Sequence, residues 1–207
     1  MLTSVQRIAF FAFASVLLLS ACGPRTPPLK PLAPDAVVLA FGNSLTCGIG
    51  ADHEASYPAV LERLIGHKVI HAGVPGELTG QGLERLPTVL AQYHPALLIL
   101  CHGGNDLLKK TGDQQAADNI RSMIRLAQEQ GTEVVLVGVP RPGLILSSAG
   151  FYAEIAREFG LPYEGDILPA VLSKGFLKSD AIHPNAKGYQ KLAEAITALL
   201  RKQHAIP

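Results

Sequence analysis

Residues 96–101, Ala-Leu-Leu-Ile-Leu-Cys, form an unbroken apolar run that stops at His102-Gly103-Gly104. A strand with one wet face alternates polar and apolar residues. A run with no polar member is covered on both faces, as strands of a parallel sheet between two helical layers are. A second run, Val37 to Phe41, ends as abruptly at Gly42-Asn43-Ser44. Both breaks carry small and polar residues, so two buried strands deliver chemistry-bearing side chains just past their carboxyl ends.

The rest of the chain repeats this alternation. Tyr57 to Ile65 predicts a helix with Val60, Leu61 and Leu64 on one face, and Lys68 to Ala72 a strand broken by Gly73-Val74-Pro75-Gly76. Leu83, Leu86 and Leu90 share a side of a helix over Thr79 to Tyr93, where Pro87 is the expected site of a kink. Asp113 to Gln130 is amphipathic and ends at Gly131, a common helix stop. Glu133 to Val139 predicts the fourth strand, Ser147 to Phe159 a helix, and Leu161 to Tyr163 a short edge strand. Ile167 to Leu172 is a helical turn, and Pro184 opens a last helix through Leu200. Five strand candidates alternating with helices predict a three-layer α/β/α fold around a parallel sheet.

The first residues belong to another kind of segment. A single cation, Arg7, precedes an apolar run from Ile8 to Leu19, shorter than the ~20 residues that span a bilayer. Such a run before small residues is the pattern of a secretory leader. Leu19-Ser20-Ala21-Cys22 resembles a bacterial lipobox, which implies a signal peptide over residues 1–21 and a lipid on Cys22. Gly rather than Asp follows that cysteine, which by resemblance to lipoprotein sorting implies the periplasmic face of an outer membrane. Residues 22–34 are proline-rich, read as an extended tether that neither packs nor forms helix, and residues 35–207 as one domain.

A net charge of +1 with no basic block argues against nucleic acid as a partner. Cys47 and Cys101 are read as two small buried apolar residues, although an extracytoplasmic compartment permits a disulfide. No cysteine or histidine spacing suggests a metal, and no glycine loop suggests a bound phosphate.

On residues 36–50 alone, Asn43 and Ser44 are explained as helix caps. Four segments in order change that. Gly42-Asn43-Ser44-Leu45-Thr46, Gln81-Gly82-Leu83-Glu84-Arg85-Leu86-Pro87, Gly103-Gly104-Asn105-Asp106 and Asp180-Ala181-Ile182-His183-Pro184-Asn185 together resemble the SGNH, or GDSL-type, serine hydrolases. The likeness covers about Val37 to Leu199 and is strongest to the small bacterial thioesterase/protease/lysophospholipase subgroup.

The resemblance implies a flavodoxin-like five-stranded sheet and a site with no metal or cofactor. It implies Ser44 as nucleophile, His183 as the base that takes its proton, and Asp180 as the acid that orients the imidazole. It implies an oxyanion hole made from the main-chain N–H groups of Ser44 and Gly76 and the side-chain amide of Asn105. The implied activity is a serine esterase acting on acyl esters or thioesters, with the membrane met only through the lipid anchor. A carbohydrate O-acetylesterase and a catalytically silent binding lipoprotein are the alternatives.

Three residues depart from the family pattern. Asn43 stands where Asp is usual, and Glu77 and His71 where the subgroup tends to have Asp and Asn. His53, His67, His94 and His204 are expected in solvent, and Asp106 is expected to brace its own loop. His102 adjoins the Gly103 turn and is a minor candidate for lining the pocket. Leu144-Ile145-Leu146 is either a lip over an acyl chain or a locally packed loop.

Overall fold

A computed structural model describes residues 27–143 and 145–207. The expected signal peptide over residues 1–21, Cys22 and Leu144 lie outside the described residues.

Five strands form one parallel sheet: β1 (Val38–Gly42), β2 (Val69–Gly73), β3 (Leu97–Cys101), β4 (Glu133–Val137) and β5 (Tyr163–Glu164). Their order is β2-β1-β3-β4-β5. The two apolar runs are the central pair, and every residue of β1 and β3 is buried. At the edges, β2 is only half-buried beyond Val69 and β5 has two residues.

The helices are α1 (Ser44–Cys47), α2 (Tyr57–Ile65), α3 (Thr79–Tyr93), α4 (Gly104–Lys109), α5 (Asp113–Glu129), α6 (Gly150–Phe159), α7 (Ile167–Leu172) and α8 (Ala186–Lys202). From β1 the chain crosses to β2 on one side, and afterwards always moves the other way. Right-handed crossovers therefore put α2 on one face and α3, α5 and α6 on the other. The contacts agree: α2 packs on α8, and α5 on both α3 and α6. The reversal falls between β1 and β3, and a crevice for ligand opens at the carboxyl ends of the strands at such a point.

Register sets the height of that crevice. Gly42 lies opposite both Gly73 and Cys101, so the loops after β1, β2 and β3 leave the sheet at one level. Two of those positions have no room for a side chain. A Cβ on Gly42 would stand 2.0 Å from the Cys101 carbonyl oxygen, and one on Gly73 would stand 2.2 Å from the Cys47 nitrogen. The loop carrying Ser44 folds directly onto the strand ends.

Several boundaries differ from the sequence-based expectation. The Gly103-Gly104-Asn105-Asp106 break is not a loop, since Gly104 opens the short helix α4. β4 stops at Val137 and α6 starts only at Gly150. Between them the chain doubles back through a Pro140–Ser148 bridge and an Ala149 N–H bond to the Val139 carbonyl, which removes residues 147–149 from the helix. Pro184 pairs with Lys178 instead of opening α8, and Asn185 caps that helix by accepting from Gly188.

The proline-rich segment is also corrected at its downstream end. Leu29 is buried, and the N–H groups of Leu29 and Leu32 bond to the carbonyls of Gln203 and Ala205. An extended proline-rich backbone still offers main-chain donors, and the C-terminal turn supplies acceptors. Cys47 and Cys101 are free thiols, and burial pushes that of Cys101 up to about 12.

The crowding at Gly42 makes a sharp expectation. Gly42→Ala should cost about 3 kcal/mol through overpacking, which for a chain of this size lowers Tm by about 6–12 °C. Gly150→Ala, where a Cβ meets nothing within 4 Å, should leave Tm within a few degrees. Thermal denaturation of both variants tests this, and equal shifts would refute the packing argument.

Candidate active site

Gly42 ends β1, Asn43 turns the chain and Ser44 begins α1. Capping and presentation of a hydroxyl occur together here: the Asn43 side-chain oxygen accepts from Leu45 N–H at 3.3 Å, while Ser44 faces the crevice. Asn43 is buried, and a neutral amide there performs the cap without burying a charge. The N–H of Ser44 belongs to the first-turn donors that a helix leaves without an internal carbonyl.

The second loop is built by its proline and glycine. Glu77 N–H bonds to the Val74 carbonyl, with Pro75 and Gly76 between them and Gly76 at φ +80°. This is the arrangement of a type II turn, which needs positive φ at its third residue.

Asp180 and His183 are held by their own loop. One oxygen of Asp180 accepts the N–H groups of Ile182 and His183, each at 2.8 Å, and the other lies 2.7 Å from His183 Nδ1. The three-residue spacing lets the carboxylate fold the chain and hold the ring at once. Burial acts to raise the Asp180 pKa, but the hydrogen bonds from the His183 ring and the two main-chain donors outweigh it, so the carboxyl lies below its ordinary value. With Nδ1 donating to Asp180, His183 Nε2 is the accepting nitrogen, and it lies 3.0 Å from Ser44 Oγ. The two loops also touch directly. A Cβ on Gly50 would stand 2.1 Å from Ser179 Oγ, and Tyr189 in α8 donates to the Ile49 carbonyl at 2.7 Å.

Asn105, in the first turn of α4, points its Nδ2 at the Glu77 carbonyl, 2.9 Å away. Ser44, Asn105 and His183 line one cavity of about 290 Å³, whose apolar wall includes Leu108, Val139, Leu146, Leu172 and Ile182. Gly76 does not line it and is linked to Asn105 through Glu77. Arg141 stands on the rim and is held by Asp113. Of the 144–146 run, read as either a lip or a locally packed loop, Leu146 lies in the cavity wall and Ile145 is 88% exposed.

Other polar residues take places that the sequence did not reveal. His102 is fully buried outside the cavity lining, between Glu77 Oε2 at 3.0 Å and the Gly103 N–H at 2.9 Å. Glu77, only 6% exposed, also takes both Nε and Nη2 of Arg85 at 2.8 Å, which gives the Gln81–Pro87 segment its place at the site. Burial alone would raise Glu77, but hydrogen bonds from Arg85 and His102, with the charge of Arg85, hold it down to about 2. Asp106 reaches beyond its loop to the N–H and hydroxyl of Thr79 at the start of α3. His71 stacks on His53 at 4.8 Å, and burial together with that neighbour lowers its pKa. His67 is half-buried with Nδ1 unbonded, whereas His53, His94 and His204 are exposed as expected.

Comparison with known proteins places this geometry. Residues 40–191 match the model of the GDSL-like lipase/acylhydrolase family. Esterase TesA of Pseudomonas aeruginosa is 28% identical over 196 residues, covering 89% of this chain and 97% of that protein. Thioesterase 1/protease 1/lysophospholipase L1 of Escherichia coli K12 is 30% identical over 169 residues, covering 76% and 79%. Among solved structures, TesA superposes with a TM-score of 0.71 at 26% identity, over 81% of this chain and 99% of that one. AlinE4, an esterase of the SGNH-hydrolase family, gives 0.63 at 30% identity, over 83% and 97%. With the match spanning most of the described domain, the chain is an ester hydrolase belonging to the GDSL-like lipase/acylhydrolase family.

Proposed function

We propose that the protein hydrolyses acyl esters and thioesters through a covalent acyl-enzyme on Ser44. The supporting observation is the hydrogen-bond chain from Asp180 through His183 to the Ser44 hydroxyl. As Oγ attacks the carbonyl carbon, His183 Nε2 takes the hydroxyl proton and Asp180 stabilises the imidazolium that forms. The carbonyl oxygen becomes negative and is met by the N–H groups of Ser44 and Gly76 and by the Asn105 amide. The intermediate collapses with loss of an alcohol or thiol, which leaves with the proton held on His183. Water deprotonated by the same nitrogen then attacks the acyl-enzyme, and breakdown of the second intermediate frees the acid and restores Ser44.

The acyl group occupies the apolar cavity beside Ser44, and the relatives named for esterase, thioesterase and lysophospholipase activity support that substrate class. We further place the protein outside the cytoplasm, cleaved before Cys22 and lipid-anchored there on the periplasmic face of an outer membrane. The lipobox-like Leu19-Ser20-Ala21-Cys22 supports this.

Asp180→Asn should lower kcat by about 10⁴, and Asn105→Ala by roughly 10²–10³, on a nitrophenyl ester with Ser44→Ala as the blank. An Asp180→Asn enzyme with most of its activity would remove Asp180 from the mechanism, and failure of a fluorophosphonate to label Ser44 would leave a silent binding protein. Across esters from acetyl to hexanoyl, kcat/KM should rise about fourfold for each methylene the cavity buries. Preference for acetyl would point instead to a carbohydrate O-acetylesterase. Labelled palmitate should enter the full-length protein in cells and not its Cys22→Ala variant; equal labelling would rule out the anchor.

A further inference from the structure

Asn105 polarises a carbonyl only if its amide is aimed, and an asparagine side chain does not aim itself. Its Nδ2 carries two hydrogens. One is spent on the Glu77 carbonyl at 2.9 Å, which fixes the amide plane and leaves the second for the crevice. Since the Glu77 oxygen only accepts, the amide nitrogen must be the atom facing it. The aim of Asn105 therefore depends on what holds residue 77 against the start of α4.

That hold is a closed circuit. The Gly103 N–H donates to His102 Nδ1 at 2.9 Å, so the ring proton sits on Nε2 and is donated to Glu77 Oε2 at 3.0 Å. The Glu77 carboxylate is anchored from behind by Arg85, which also donates to the Ala72 carbonyl at 3.1 Å and lies over the Phe41 ring at 4.1 Å. On the other side, Tyr152 donates to the His102 carbonyl at 2.6 Å. The ring has no slack: a Cβ on Gly82 would stand 2.5 Å from Nε2. Starting at Asn105, the circuit runs to the Glu77 carbonyl, along residue 77 to its carboxylate, across to His102 and back through Gly103.

We propose that Glu77 and His102 are positioning residues that jointly aim the Asn105 amide, joining the loop after β2 to the loop after β3 through a neutral imidazole. This rests on the reading that Asn105 meets the substrate oxygen. Neither side chain is free to touch substrate: the His102 ring is fully buried, and the Glu77 carboxylate is taken by Arg85 and His102. Both are buried, and both carboxylate oxygens of Glu77 and both ring nitrogens of His102 are hydrogen-bonded.

The two nitrogens of His102 can be tested separately. Asn at 102 carries an acceptor where Nδ1 stands and keeps the Gly103 bond but loses Glu77. Gln reaches to where Nε2 stands and keeps the Glu77 bond but loses Gly103. Breaking either link opens the circuit, so His102→Asn, His102→Gln and Glu77→Gln should each lower kcat on nitrophenyl butyrate by roughly 10- to 100-fold, with KM changed by less than about threefold. Each variant is then made again with Asn105→Ala. With the aimed group removed, the same substitutions should cost less than about threefold, since residues acting as one unit are not additive.

Folding is checked by Tm, and kinetics are read on the variants that stay folded at the assay temperature. Equal losses in the two backgrounds, or folded His102 variants with unchanged kcat, would overturn the positioning proposal while leaving Asn105 in the mechanism. An Asn105→Ala enzyme with full kcat would instead overturn the oxyanion reading, and this proposal with it.

Discussion

Three neighbouring strands stop at one height, and the arrangement of the site follows from that. Gly42 is level with Gly73 and Cys101, so the segments bearing Ser44, Gly76 and Asn105 start from a common floor. A slip of one residue in any pairing would move its loop by about 3.3 Å and turn its side chains over. That distance exceeds the tolerance of a hydrogen bond. The floor is also bare: main chain from the α1 turn and from Cys101 fills the space where side chains at 42 and 73 would stand. Strand register, not any single catalytic contact, brings the segments together.

Above that floor, buried tyrosines tie the helical layers to the functional loops. Tyr57 of α2 lies 3.2 Å from Thr46 Oγ1, Tyr152 of α6 holds the His102 carbonyl, and Tyr189 of α8 holds the Ile49 carbonyl. All three rings are in the core, and burial drives all three phenol pKa values up, so each hydroxyl keeps its proton. Packing and site geometry are thus parts of one arrangement. The helices that supply the hydrophobic core also carry the polar tips that fix loop positions.

The sheet was legible because an all-apolar run has one economical environment, a strand covered on both faces. The convergence of Ser44, Asp180 and His183 was legible for another reason: their segments match a known pattern, and composition alone would have left Asn43 and Ser44 as caps. Partners were not legible. Nothing local to Glu77, Arg85 or His102 says that one carboxylate faces both of the others, because the three sit on different elements that only the fold brings together. The helix α4 was hidden by its glycines, which read as a break, and the 147–149 return by a Ser-Ser-Ala stretch that suits a helix start equally well. The proline-rich stretch misled for a physical reason: prolines forbid helix but leave the neighbouring N–H groups able to bond.

The docking of residues 29–32 on the far end of the chain bears on the order of assembly. Their acceptors are the carbonyls of Gln203 and Ala205, in the turn that follows α8. A chain made from its amino end cannot seat that strap until the turn after α8 has been made. A nascent or truncated chain that lacks residues 203–205 would keep residues 29–32 undocked, with Leu29 in water.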